Sequence, residues 1–261
     1  MKTRIILFIS LLLIGLNANS TEPRGLRTIT NTAFKPGEIL KFRIHYGIMD
    51  AGEATLEVKS DYTNLGGRDC YHFVGNGKSV GAFDWFFKVR DRYESVVDKD
   101  AMVPWLFVRR VNEGGYIINQ NVSFNHYSDS AKSEKATIAI PDNTQDLVSS
   151  FYYARTIDFT NAKEGDIFEI TGYLDDAIFP MNLRFLGREI VSSKKGDFRC
   201  IKLRPMLQQG RVFKDQEDMT IWVSDDQNKI PVRVQADILV GSIKMDLVDY
   251  ANLAGPPAIV K

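Results

Sequence analysis

Apolar and polar residues alternate with a period of two along most of the chain. Between Gly52 and Ser60, the apolar residues Ala54, Leu56 and Val58 are separated by single polar residues. The alternation recurs at Phe42, Ile44 and Tyr46; at Met219, Ile221 and Val223; at Val232, Val234, Ala236 and Ile238; and at Ile243, Met245 and Leu247. Successive side chains of a strand point to opposite faces of a sheet, so this pattern predicts half-buried antiparallel strands.

Clusters of turn-forming residues separate the predicted strands. They occur at Asn64–Gly67, Asn112–Gly115, Lys194–Asp197 and Asp225–Asn228. Gly, Asn and Asp favour tight turns, and this spacing is typical of meanders, sandwiches and open barrels. We therefore predict a mainly β protein built on a curved antiparallel sheet, in the form of an open barrel or a sandwich-like fold.

One segment has the period of a helix instead. From Gln145 to Ile157 the apolar residues follow helical spacing, and Asp142 or Asn143 offers an N-cap. This predicts one central α-helix over about residues 143–158. Its apolar stripe consists of Leu147, Phe151 and Ala154. The stripe is explained either by packing on a sheet face or by a role as plug or lid of a ligand cavity.

The segments on either side of this helix resemble each other. Gly37 matches Gly165, Cys70 matches Cys200 and Pro104 matches Pro231, at offsets of 128, 130 and 127 residues. A nearly constant offset favours an internal pseudo-repeat, with pseudo-halves of about 36–140 and 164–250. The alternative is that strand-turn-strand units simply look alike.

The first twenty residues have the pattern of a secretory signal peptide. Lys2 and Arg4 precede an apolar run from Ile5 to Leu16, and small residues at Ala18 and Ser20 suit a cleavage site. The run of about 12 residues is shorter than the roughly 20 needed for a membrane anchor. We therefore predict a signal peptide at 1–20 and a single β-rich domain at 21–261. The protein would be exported to the periplasm or the medium, without a transmembrane segment after cleavage.

Charge and composition narrow the functional classes. The chain has 33 Lys and Arg against 33 Asp and Glu, so no basic surface for nucleic acid is indicated. Removing Lys2 and Arg4 with the signal peptide leaves 31 basic and 33 acidic residues, a net charge of −2. Two Cys and three His leave little material for a metal site, so we predict no metal and no cofactor.

Two motifs suggest chemistry. The sequence from Gly77 to Gly81 matches the G-x-S-x-G elbow of serine hydrolases, with Ser79 as nucleophile. That motif requires alternating strands and helices, which this chain lacks, and a turn between strands is favoured. Cys70 and Cys200 occupy matching places in the two pseudo-halves, and they form either a disulfide or two buried inert thiols.

A cluster of aromatic residues is the best indication of a binding surface. Four large aromatic residues fall within five positions, namely Phe83, Trp85, Phe86 and Phe87. They cannot all face one side of a strand, so some should be exposed or should line a cavity. The predicted ligand-binding residues are Phe83, Trp85, Phe86, Phe87, Trp105, Phe151 and Tyr152.

Several stretches resemble a known family. They are Gly37–Leu40, Tyr46–Gly47, Ala51–Ala54, Val89–Ser95, Gln145–Arg155, Trp222–Asp226 and Gly241–Ile243. In these the chain is similar to a bacterial exported family, domain of unknown function 3108, which implies an exported, mostly β protein and no assigned chemistry. More loosely, the segment from Trp222 to Pro231 is similar to the periplasmic lipoprotein carriers LolA and LolB, whose curved sheet and helices enclose an apolar cavity.

These observations lead to one main hypothesis and two alternatives. The first is an exported, non-enzymatic protein of the cell envelope that binds an apolar ligand, a lipid or lipoprotein acyl chain, between sheet and helix. The second, without small ligand, is a structural or protein-interaction module of the envelope that pairs through a sheet edge. The third is a serine hydrolase acting through Ser79.

Overall fold

A computed structural model describes residues 25–206, 219–237 and 241–260. The predicted signal peptide at 1–20 and Ile238 lie outside these residues. Within them the chain forms seventeen strands and two helices. In chain order these are β1 (Ile39–Tyr46), β2 (Met49–Val58), β3 (Thr63–Leu65), β4 (Arg68–Ser79), α1 (Gly81–Phe86), β5 (Arg90–Asp98), β6 (Pro104–Glu113), β7 (Tyr116–Asn125), β8 (Ser130–Lys132), β9 (Thr137–Ala139), α2 (Leu147–Ala154), β10 (Ile167–Phe168), β11 (Thr171–Leu174), β12 (Ala177–Pro180), β13 (Leu183–Ser193), β14 (Gly196–Pro205), β15 (Met219–Ser224), β16 (Pro231–Asp237) and β17 (Ser242–Ala251).

Fifteen of the described strands form one antiparallel sheet. Its order is β10-β13-β14-β15-β16-β17-β1-β2-β4-β5-β6-β7-β8-β9, with β3 beside β4. The sheet does not close into a barrel. β11 and β12 form a separate two-stranded sheet. The predicted mainly β fold is confirmed, and each turn predicted from sequence overlaps the connection between two consecutive strands.

The sheet is strongly curved. Three strands separate β14 from β1, yet Phe198 of β14 and Leu40 of β1 belong to one buried cluster. Arg233 of β16 donates a hydrogen bond to the backbone oxygen of Ser192 in β13, at 3.1 Å. These contacts are made only if the sheet curls back on itself, as predicted.

The central helix begins later than its sequence indicates. The backbone of Gln145 is extended because it exchanges hydrogen bonds of 2.8 Å with Thr171 and Tyr173 of β11. The helix starts only after Asp146, whose side chain accepts from the amide of Ser149 while the Ser149 hydroxyl accepts from the amide of Asp146. This capping box replaces the predicted cap at residues 142–143.

The helix also ends earlier than predicted. After Ala154 the chain forms tight turns, in which the amides of Thr156 and Ile157 donate hydrogen bonds to the backbone oxygens of Tyr153 and Ala154. The observed helix therefore covers eight residues instead of the predicted range of about 143–158. The described residues also contain α1, a short second helix in the β4–β5 connection, where the prediction had one helix.

Corresponding turns in the two pseudo-halves share their geometry. The amide of Asp98 donates to the oxygen of Val103 at 2.9 Å, and the amide of Ser224 donates to that of Ile230 at 2.8 Å. Met102 in the first turn and Lys229 in the second both have a left-handed backbone conformation, with φ of 51° and 44°. The common origin of the halves stays a prediction.

Most of the main core lies between α2 and the strands β4 to β7. Its fully buried members include Phe73, Val97, Phe107, Val122 and Tyr152. The rings of Tyr152 and Phe73 stack with centroids 3.7 Å apart. This contact fixes α2 against the sheet.

Candidate functional site

A cavity of about 610 Å³ lies on the other side of α2. Its walls are α2, the β11–β12 hairpin and the strands β13 to β15. The apolar lining comprises Leu147, Phe151, Ala154, Phe159, Ile170, Leu174, Ala177, Phe179, Pro180, Met181, Leu183, Leu203, Pro205, Met206, Met219, Ile221 and Val223. The polar or charged residues of the lining are Ser150, Arg155, Asp175 and Lys229.

The helix presents different residues to the core and to the cavity. Val148 and Tyr152, four residues apart, belong to the core cluster, while the predicted stripe of Leu147, Phe151 and Ala154 lines the cavity. Residues three or four apart share a helix face, so the two sets point in different directions. Leu147 and Phe151 also pack against the core cluster, so the stripe combines packing on the sheet with a place in the cavity wall.

The β11–β12 hairpin is held in place by its turn. Asp175 and Asp176 both have positive φ, of 51° and 59°, as a two-residue type I′ turn requires. Asp175 accepts a hydrogen bond of 2.7 Å from the buried Arg109, and Asp176 accepts one of 2.6 Å from the Tyr173 hydroxyl. These bonds anchor the hairpin to the sheet and to its own strand.

Arg155, one of the residues that line the cavity, belongs to a buried ion pair. The Arg155 guanidinium donates to both carboxylate oxygens of Glu38, at 2.6 and 2.8 Å, and to the backbone oxygens of Asn228 and Ala33. Bidentate pairing with further backbone acceptors satisfies both charges despite burial. Arg155 thus joins the end of α2 to the segment before β1 and to the β15–β16 turn.

The structure separates the predicted binding residues. Phe151 lines the cavity, but its neighbour Tyr152 is fully buried in the core. The indole of Trp105 donates to Asp98 at 3.2 Å and packs against His126. Phe83, Trp85, Phe86 and Phe87 lie in and just after α1 and are not among the residues that line the cavity.

Trp85, Phe86 and Phe87 belong to a second, exposed feature, the hairpin-end patch, whereas Phe83 is half-buried beside Tyr46 and Phe87. The patch consists of the exposed side chains of Ile48, Met49, Trp85, Phe86, Phe87, Tyr116 and Ile117. The β1–β2 turn, α1 and the β6–β7 turn lie at the same end of the sheet, since Gly52 pairs with Ser79 and the amide of Gly114 donates to Lys88. Trp85 is 83% exposed and Phe86 76%, so this apolar surface is available for contact.

Ser79 lacks the partners of a hydrolase nucleophile. Its buried hydroxyl donates to Asp84 and accepts from the amide of Val89 at 2.8 Å. Arg90 and the Ser79 hydroxyl lower the pKa of Asp84 to about 2. His126 instead bonds the backbone oxygen of Pro104 at 2.8 Å. A serine bonded to a strongly acidic carboxylate has no general base to activate it.

The two cysteines are free and buried, so the disulfide considered for Cys70 and Cys200 is not formed. Five strands of the sheet lie between β4 and β14, which carry them. Burial raises the pKa of each thiol to about 12, which suppresses thiolate chemistry. The described ranges contain no group of three or more metal-ligating side chains.

The sequence did not indicate the wall formed by the β11–β12 hairpin. Its signal was present: Asp175 and Asp176 separate two short apolar segments, Tyr173–Leu174 and Ile178–Phe179. The β15 residues of the lining were predicted to share one strand face, but their role in a cavity depends on distant elements.

None of the helices in the described residues has the length and apolarity needed to cross a bilayer.

Solved structures of other bacterial proteins are similar to this one. The fold is similar to that of a β-barrel-like protein of domain of unknown function DUF1849 from Brucella abortus, with a TM-score of 0.55 and 12% identity over 87% of this chain and 99% of that one. At this identity the likeness concerns the fold alone. A hypothetical protein from Chlamydia trachomatis matches with a TM-score of 0.40 and 7% identity, over 88% of this chain and 94% of that one.

A search of curated proteins found no match in sequence. The sequence profile of the family described as "Protein of unknown function (DUF3108)" matches residues 41–248. This match spans most of the chain and nearly the whole sheet. The chain therefore belongs to the DUF3108 family.

Proposed function

We propose that the protein is an exported, non-enzymatic protein of the cell envelope that binds an apolar ligand, a lipid or an acyl chain, in the cavity beside α2. The observation that carries this proposal is the size and apolar lining of the cavity. Small-molecule sites are typically concave, mainly apolar and about 300–1,000 Å³ in volume. Export is proposed from the sequence of residues 1–20.

Binding would depend mainly on removal of hydrocarbon from water. Each buried CH₂ group contributes about 0.8 kcal/mol, so a chain of several carbons gains affinity without specific polar contacts. The bonding of Ser79 and the raised thiol pKa of both cysteines support a non-enzymatic role. The cavity, in contrast, offers a surface suited to binding.

Binding of N-phenyl-1-naphthylamine, a neutral apolar probe that fluoresces when buried, tests the proposal. The wild-type protein should bind the probe. Ala154→Phe places a ring in the cavity from α2 and should weaken binding about tenfold or more, because it removes space that the probe needs. Ala82→Phe adds the same ring to an exposed position of α1 and serves as the matched control.

The two variants distinguish binding in the cavity from nonspecific binding of the probe to the protein surface. Equal binding by wild type, Ala154→Phe and Ala82→Phe would place the probe elsewhere and contradict the proposal. Absence of binding to the wild-type protein, also after extraction of co-purified lipid, would contradict it as well.

The hairpin-end patch favours a second candidate function, an envelope protein-interaction module. Its exposed aromatics could contact a protein partner without any small ligand. If this is the main function, replacing Trp85 and Phe86 together by Ser abolishes capture of one defined envelope protein. The same double variant would leave probe binding in the cavity unchanged.

A further inference from the structure

Lys229 places a positive charge at the edge of the apolar cavity. It lies in the β15–β16 turn, lines the cavity and is half-buried. Within the residues that the structure describes, its ammonium group has no hydrogen bond or salt bridge. Burial lowers the pKa of Lys229, the expected effect when a cation loses water without gaining a direct partner.

Nearby carboxylates do not neutralise Lys229 directly. The carboxylates of Asp158, Asp225 and Asp226 raise the pKa of Lys229 by their negative charge. The Arg155 guanidinium lowers it. The three carboxylates accept hydrogen bonds from other groups than this ammonium: Asp158 accepts from Thr160 at 2.6 Å and Asp225 from Arg188 at 3.2 Å. Asp226 accepts from the backbone amides of Asn228, Lys229 and Ala258 at 2.7, 3.2 and 2.6 Å.

The other charged residues of the lining are paired. Arg155 is bound by both oxygens of Glu38, and Asp175 is bound by Arg109. Among the described lining residues, Lys229 is therefore the charge left without a direct counter-ion. A site with one available cation discriminates between an anionic head group and a neutral one.

The apolar part of the cavity extends away from Lys229 along β15. Met219, Ile221 and Val223 are alternate residues of this strand and all line the cavity. At about 3.3 Å per residue, they mark out about 13 Å of apolar wall. Val223 lies at the end of β15 next to the turn that carries Lys229. The positive charge of Lys229 is therefore at one end of this apolar wall.

We propose that the cavity binds a single-chain amphiphile with a carboxylate head group, with the head group on Lys229 and the hydrocarbon chain along β15. This inference rests on the proposed function and specifies its ligand class. The ammonium group would gain the counter-ion that it lacks, and the chain would cover the residues that face the cavity.

Displacement of bound N-phenyl-1-naphthylamine by dodecanoate, 1-dodecanol or dodecyltrimethylammonium at neutral pH tests this. The wild-type protein should prefer dodecanoate. Lys229→Gln should weaken dodecanoate binding about tenfold, because a charge-assisted hydrogen bond is lost, and leave dodecanol binding unchanged. Lys229→Arg keeps the charge and should keep the preference for dodecanoate. Thermal unfolding of both variants checks that the fold is retained.

The outcomes separate this inference from the proposed function. Equal affinity for dodecanoate and dodecanol in a protein that still binds the probe overturns the role of Lys229, while the apolar cavity stands. An unchanged preference for dodecanoate in Lys229→Gln overturns it too. Failure of the wild-type protein to bind the probe overturns both.

Discussion

At the scale of single residues, two opposing effects act on the pKa of Asp146. Its carboxylate caps α2, accepting from the amides of Val148 and Ser149 at 2.8 Å and from the Ser95 hydroxyl at 2.6 Å. Complete burial nevertheless raises its pKa to about 6, because desolvation outweighs these hydrogen bonds. The folded protein therefore binds a proton at Asp146 more tightly than the unfolded chain does.

This difference predicts a pH-dependent contribution to stability. The contribution of Asp146 is full below about pH 4, the ordinary aspartate range, and is lost as the pH rises through about 6. Asp146→Asn keeps the cap but does not titrate. The free energy of unfolding of the wild type, relative to this variant, should fall by about 2–3 kcal/mol between pH 4 and pH 7. Urea unfolding at several pH values measures it, and a constant difference would refute the raised pKa.

At the scale of elements, α2 serves as both core and cavity wall. Tyr152 is buried and stacked on Phe73, whereas the adjacent Phe151 is half-buried beside the cavity. Two neighbouring aromatic residues of similar size therefore have different roles. Their separation follows from the 100° turn between successive helical residues.

Substitution of these neighbours should separate stability from binding. Tyr152→Ala should lower the free energy of unfolding by about 3–5 kcal/mol, because it empties a closely packed core site. Phe151→Ala should cost about 1–2 kcal/mol, because less apolar surface is buried there, while reducing probe affinity. Urea unfolding and probe titration measure the two effects.

Tyr152→Phe is the control for this pair. Among the described residues the Tyr152 hydroxyl has no hydrogen-bond partner, so its removal should leave stability within about 0.5 kcal/mol of wild type or raise it. Equal destabilisation by Phe151→Ala and Tyr152→Ala would contradict the division between the two faces.

The strands could be predicted from sequence more reliably than the helix limits or the cavity. In β15, the alternation of Met219, Ile221 and Val223 reflects a strand with two different faces, which is a local property. The start of α2 depends on the pairing of Gln145 with β11, some 27 residues later in the chain. The cavity likewise combines distant elements, so its lining has no local pattern.

At the scale of the whole molecule, the pseudo-halves are joined through the middle of the sheet. β17 pairs with β1 over eight residue pairs, from Ile39 with Ala251 to Tyr46 with Ile243. Arg155 adds a buried connection between the segment before β1, α2 and the β15–β16 turn. Neither half can lose its structure without exposing buried groups of the other.

We therefore expect one cooperative unfolding transition. Trp105 in β6 and Trp222 in β15 report on different halves, and variants that keep either as the only Trp should show coincident midpoints of fluorescence and circular dichroism in urea. Glu38→Gln leaves Arg155 without its counter-ion and should lower the free energy of unfolding by about 3–5 kcal/mol in both reports. A transition that splits into two steps would show that the halves unfold independently.

The separate β11–β12 sheet has a consequence for how the family diverges. Leu174, Ala177 and Phe179 of this hairpin shape the cavity, yet its strands take no part in the main sheet. Substitutions there alter the cavity without requiring matching changes in fifteen paired strands. If the cavity binds a ligand as proposed, we expect differences in ligand preference among homologues to concentrate in this hairpin, and the sequence of the large sheet to vary less.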